Sequence, residues 1–187
     1  EFPFNANGIK VAVAVSDDLQ TIKEKHLITP FNAKAMALFP ERINGKITVV
    51  FSFHTDNPPS SMAIAQCDKI EELWSPKFWE NWQKNLDKNT IENIQRTPRD
   101  HVEVGAVPIK TNNGWLFIYS HIQNYFESSH SDPRVFGIEA LLLDIKNPQK
   151  IVARTRGPIL VPEESYELSG FASNIVFPSG ALIEKPT

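Results

Sequence analysis

The feature that most constrains the fold of this chain is a long internal echo. Three segments align on a proline: Ala35-Met36-Ala37-Leu38-Phe39-Pro40, Glu103-Val104-Gly105-Ala106-Val107-Pro108 and Ser173-Asn174-Ile175-Val176-Phe177-Pro178. Their prolines stand 68 and 70 residues apart. A second echo, His26-Leu27-Ile28-Thr29-Pro30 and Pro158-Ile159-Leu160-Val161-Pro162, precedes the first and third copies. Strand-rich units repeated at a fixed period point to a solenoid or a propeller. A propeller blade takes about 40–45 residues, so a longer period implies long inserted loops, where chemistry is often placed. Propellers carry about 4–8 blades, and the 187 residues hold fewer than three periods. Three readings stay open: a piece of a propeller, a half-propeller that must pair, or a sandwich with accidental echoes.

Short β-rich runs separated by turns fill the rest of the chain. The pattern predicts strands at 9–15, 35–39, 46–53, 63–67, 104–109, 115–120, 138–143 and 175–177. Asn44-Gly45 and Asn113-Gly114 each lie between apolar runs and predict two hairpins whose turn residues take positive φ. One stretch, 76–86, reads as a helix, with Ser75 as its cap and Pro76 in its first turn. Phe78, Trp79, Trp82 and Leu86 fall on one side of it and are expected to pin it to a sheet rather than to form an open stacking platform.

Composition excludes several classes. With 19 basic and 22 acidic residues and a net charge of −3, nothing favours a nucleic-acid or anionic-membrane partner. No apolar run is long enough to span a membrane. No basic-then-apolar leader is visible, so a cytoplasmic location is expected. Cys67, the one cysteine, cannot form an intramolecular disulfide and is expected to be a buried thiol. The five histidines show no metal-ligand spacing, and no cofactor motif appears.

Ordered motifs run along nearly the whole chain. The run 8–19 ends in Ser16-Asp17-Asp18-Leu19, and 31–46 contains the first echo and Asn44-Gly45. Gly105 to Thr111 is followed by Gly114-Trp115-Leu116 and Tyr119. Leu141-Leu142-Leu143-Asp144 leads on to Arg154-Thr155, Pro162-Glu163-Glu164, Tyr166-Glu167, Gly170 and 174–180. In order and spacing these motifs resemble glycoside hydrolase family 130, the mannoside hydrolases and phosphorylases. The resemblance implies an all-β, partial five-bladed propeller with one short helical insertion. Residues 1–30 would end a first blade, 31–100 form a second with its insertion, 101–170 a third, and 171–187 start a fourth. It also implies an inverting enzyme acting on β-mannoside oligosaccharides. The family's acid, an Asp in a Glu-Asp-Pro-Arg motif, is expected upstream of Glu1. Ser131-Asp132-Pro133-Arg134 imitates that motif but falls in a third-blade loop, so Asp132 is not expected to be the acid.

Two chemistries differ in the nucleophile. Hydrolysis needs a carboxylate base for water, whereas phosphorolysis needs cations to hold inorganic phosphate. Where phosphorylases of the family tend to carry basic residues, this chain has His54 at one strand end and Glu103 at another. Glu103 is therefore the expected catalytic base, and hydrolysis is expected over phosphorolysis. The plainer reading pairs Glu103 with Arg99 or Lys110. Lys34 argues the other way, as a phosphate ligand together with His54. Asp100, His101, His121, Tyr166, Glu167, Asn174 and Asn32 are the expected substrate-binding residues. A sheet stack with open edges is also expected to self-associate.

Overall fold

The structure is a computed structural model that describes residues 8–55, 60–126 and 129–184. Its strands form three antiparallel sheets, met in chain order. The first pairs β1 (Ala12–Val15) with β2 (Glu24–Leu27). The second is a meander of β3 (Ala33–Leu38), β4 (Ile47–Phe53) and β5 (Ser61–Cys67). The third runs β6 (His101–Val104), β8 (Gly114–Gln123), β9 (Val135–Leu143) and β10 (Ile151–Arg154), with β7 (Ile109–Thr111) also paired to β8. This is the architecture of a partial β-propeller.

Helices are few. A 3₁₀ turn (Ile70–Trp74), α1 (Pro76–Gln83) and α2 (Leu86–Asn89) follow β5, and α3 (Ser165–Leu168) follows β10. The predicted helix exists but ends at Gln83. Pro76 opens it, whereas Ser75 sits at the cap position without a side-chain cap bond. Trp79 and Trp82 are buried and pack with Phe31, Phe51 and Phe53. These aromatics fasten α1 to the second sheet, as their spacing predicts.

Both hairpins form, for different reasons. Asn44 and Gly45 have φ of 51° and 81°, the mirror-image turn that suits strand twist. At the other hairpin Thr111 pairs with Gly114, so Asn112 and Asn113 make the turn. Gly114 is instead a strand residue with φ 147°, and a Cβ there would lie 2.4 Å from the Leu143 carbonyl oxygen.

A core of Phe39, Val50, Ile64, Val104, Trp115, Phe117, Tyr119 and Leu141 lies between the second and third sheets. Trp115 is a packing residue whose Nε1 donates to the Ile145 carbonyl at 3.2 Å. Two buried serines stitch the second sheet to β6: Ser52 Oγ accepts from Val104 N at 2.9 Å, and Ser60 Oγ donates to the Val102 carbonyl at 3.0 Å. Cys67 is buried as expected, and burial pushes its thiol up to about 11. Among the described residues, no helix is long and apolar enough to cross a membrane.

Candidate active site

β3 and β6 each begin a meander, and the polar residues gather where these two strands start. Lys34 near the start of β3 forms an ion pair with Glu103 on β6. His101, two residues before Glu103, lies with Nε2 3.0 Å from the same Glu103 oxygen. The Nδ1 of His101 is 2.7 Å from Ser60 Oγ, so both ring nitrogens are engaged. Tyr125 stacks on the imidazole at 4.4 Å. The ring is thus fixed on its face and at both nitrogens.

β3 itself is bulged. Pairing with β4 shifts between Lys34 and Ala37, and Ala35 adopts φ 51°. A bulge re-aims the side chains beside it, and here the side chain beside it is Lys34. Asn32 Oδ1 accepts from Thr55 N at 2.7 Å and from Thr55 Oγ1 at 3.0 Å. Its carbonyl accepts from His54 N at 3.3 Å, and the His54 side chain is exposed with φ 57°. Asn32, Lys34 and His54 therefore share the strand ends next to Glu103.

The ionisation of Glu103 follows from these contacts. Burial pushes its carboxyl up, but the hydrogen bonds from His101 and Lys34 and their charges outweigh burial and leave it below its ordinary value. The pairings expected from sequence go elsewhere: Lys110 pairs with Glu41, and Arg99 pairs with Asp132 at 3.0 Å. Asp132 also accepts from Asn124 Nδ2 at 2.6 Å, which suits a loop-bracing role rather than an acid's.

Behind this cluster lies a buried polar network. Asp100 accepts from Thr97 N at 2.8 Å and lies 3.2 Å from His121 Nε2. His121 Nδ1 stands 3.4 Å from Glu139 Oε1, within ionic reach but without hydrogen-bond alignment. Glu139 accepts from Arg96 Nε at 2.6 Å and from Tyr119 Oη at 2.8 Å. Burial, and then the neighbouring Glu139 charge, raise the Tyr119 hydroxyl above its ordinary value. Asp100 and His121 are both buried, so neither presents itself to a ligand. Glu139, Arg96, Ser60 and Tyr125 do not figure in the sequence reading. The signal for Glu139 was available, because a carboxylate inside the apolar run 136–143 must be buried with a partner.

The remaining predicted residues lie apart from the Lys34–Glu103 pair. Tyr166 is exposed on α3. Glu167 caps that helix, accepting from Glu163 N at 2.9 Å and Glu164 N at 3.0 Å, and those bonds hold its carboxyl below the ordinary range. Asn174 has φ 60°, flanks β9 by accepting from Phe136 N, and lines a cleft of about 490 Å³ with His130, Arg134 and Phe171. A larger open cleft of about 670 Å³ lies between α2 and β10 and includes none of the predicted residues. Its lining mixes Asp87 and Glu92 with Lys88, Lys150 and Arg154, so it presents charges of both signs. Among the described residues, no cluster of His, Cys, Asp or Glu could hold a metal ion.

Consecutive antiparallel sheets, with a charged cluster where the first strands of the second and third begin, define a partial β-propeller. The family model described as beta-1,4-mannooligosaccharide phosphorylase matches residues 6–186. The chain belongs to glycoside hydrolase family 130. It is 31% identical over 178 residues to a 1,2-beta-oligomannan phosphorylase of Thermoanaerobacter sp. (strain X514), covering 95% of this chain and 52% of that protein. It is similar to the solved beta-1,2-mannobiose phosphorylase of Listeria innocua in complex with beta-1,2-mannobiose, with a TM-score of 0.71 and 26% identity over 95% of this chain and 46% of that one. A further structure, reported with family glycoside hydrolases that target beta-1,2 mannosidic linkages in Candida mannan, has a TM-score of 0.63 at 16% identity over 95% of this chain and 52% of that one. That last likeness shows the fold alone. The chain spans about half the length of the relatives it matches.

Proposed function

We propose that this chain supplies part of the active site of an inverting enzyme that cleaves β-mannosides with phosphate. Family membership supports the substrate class, and the relatives named above support phosphate as co-substrate. This reverses the preference for hydrolysis drawn from the sequence. The observation that carries it is the pairing of Glu103 with Lys34 and His101. A base for water works best with a pKa near the operating pH, and Glu103 is held below its ordinary value.

In this reading a phosphate oxygen attacks the anomeric carbon from the face opposite the leaving oxygen. The C–O bond to the leaving sugar breaks, that oxygen takes a proton from a carboxylic acid, and the mannosyl unit departs as a glycosyl 1-phosphate. Lys34 supplies the cation for phosphate, His54 assists from the adjacent strand end, and Glu103 orients Lys34. Direct sugar contacts are assigned to Asn32 and Asn174, whereas His101 is buried with both ring nitrogens engaged and acts by holding Glu103. Asp100 and His121 act from behind, and exposed Tyr166 is assigned a peripheral contact. Glu103, as an ionised group, does not provide the proton.

One observation favours hydrolysis as a second reading: a carboxylate stands beside the presumed phosphate cation, and it repels an anion unless Lys34 outweighs it. The natural protein containing this chain, incubated with β-1,2- or β-1,4-mannobiose, separates the two. Mannose 1-phosphate that accumulates only when phosphate is added supports phosphorolysis. Free mannose released at the same rate without phosphate overturns it.

A further inference from the structure

Burying charged groups costs several kcal/mol each unless they are paired and hydrogen-bonded. The Asp100–His121–Glu139–Arg96 network places two carboxylates and an imidazole in the interior, each no more than 5% exposed at the side chain. Apolar side chains of similar volume would fill the same space at less cost. A buried polar network of this kind rigidifies the segments that it joins.

What this set holds is the start of β6. Asp100 directly precedes His101, and its two oxygens receive the backbone N–H groups of Thr97 and Asn124. One oxygen thereby closes the turn before β6, and the other anchors the chain leaving β8. His121 on β8 binds that carboxylate and faces Glu139 on β9. Arg96 extends the network to the chain beyond β10, donating from Nη2 to the Thr155 carbonyl at 2.6 Å. Five segments of the third sheet and its loops therefore meet on one buried chain of polar groups. On the strand that they fix, the next residues are His101 and Glu103, which hold Lys34.

We propose that Asp100, His121, Glu139 and Arg96 form a positioning device that sets the angle and register of β6. Its output is the geometry of the His101–Glu103–Lys34 cluster. The four act through β6, so they are positioning residues. The inference rests on the reading of that cluster as part of the active site.

The test uses the natural protein that contains this chain, with His121→Leu, His121→Gln and Ile64→Val. The last variant leaves a cavity in the core on β5, outside β6 and the network. We expect His121→Leu to lower kcat about tenfold or more and to raise the KM for phosphate more than the KM for mannobiose. His121→Gln, which can still donate to one carboxylate, recovers most of the loss. Ile64→Val lowers the melting temperature yet leaves kcat and both KM values near those of the unsubstituted protein. The second readout needs no turnover: the ¹⁵N imidazole resonances of His101 shift in His121→Leu and not in Ile64→Val. If the unsubstituted protein cleaves no mannoside, the active-site reading fails, and the resonances still decide whether the network positions β6. Unmoved His101 resonances in His121→Leu overturn the proposal whatever the kinetics show.

Discussion

Glu103 shows how one side chain's surroundings decide its chemistry. The sequence places a carboxylate at a strand end, and a lone carboxylate there is a reasonable base. The sequence cannot show that a bulge 69 residues earlier turns Lys34 onto it. The pairing has a pH consequence with a definite sign. The folded carboxyl lies below its unfolded value, so its ionisation contributes stability above the unfolded pKa, which is about 4.3. That contribution is lost as pH falls through the lower folded value. Glu103→Gln should therefore narrow the drop in melting temperature between neutral and acidic pH relative to the unsubstituted protein. Parallel melting curves of the two proteins down to pH 3 would show that the pair adds nothing. Ala35 offers a second handle at this scale. Its φ of 51° is unfavourable for any residue with a Cβ, and Ala35→Gly should raise stability by up to about 1 kcal/mol. A fall in the chemical-denaturation midpoint would mean that the bulge depends on the alanine methyl.

At the scale of elements, the strands that are apolar on both faces were the legible ones. β4, β5, β8 and β9 are long runs buried on both sides, and their pattern announces them. β2 reads Glu-Lys-His-Leu and is largely exposed, so no periodicity marks it. β10 is a four-residue edge strand with a bulge opposite β9, too short to be read. The predicted strand 104–109 divides into β6 and β7, because the backbone bends at Ala106 and Pro108 has no N–H for a ladder. Among the described residues, the stretch 175–177 makes a single parallel bridge, from Ile175 to Phe136. The clearest element-level prediction concerns Gly114, read as a turn glycine and found in a strand. An alanine Cβ there would collide with the Leu143 carbonyl, and its φ of 147° excludes side chains. Gly114→Ala should cost about 2–4 kcal/mol and loosen the β8–β9 pairing at its Trp115–Leu143 end. Amide exchange of Trp115 and Leu143 measures it, and unchanged protection in a protein of unchanged stability would contradict the packing described.

For the whole molecule, the 68-residue echo corresponds to a structural repeat, because its two copies fall on β3 and β6, which each begin a sheet. The third copy forms no strand and packs on the second, since a Cβ on Gly105 would meet Pro178 Cγ at 2.5 Å. Yet the stack leaves apolar side chains in water at two separate places. Leu19, Ile22 and Leu27 are exposed around β1–β2, and Ile159, Leu160, Phe171, Leu182 and Ile183 are exposed beyond β10. Together with unpaired strand edges, such surfaces favour association between copies. The 187-residue chain on its own is therefore expected to self-associate as its concentration rises, in sedimentation velocity from about 1 to 100 μM. Phe171 and Leu182 are almost wholly exposed, so Phe171→Ser with Leu182→Ser removes little from the fold itself. If these side chains drive association, the double variant shifts toward monomer while its unfolding midpoint stays within experimental error. A monodisperse monomer of the unsubstituted chain that unfolds in one cooperative step would mean that the three sheets bury enough surface among themselves to stand alone.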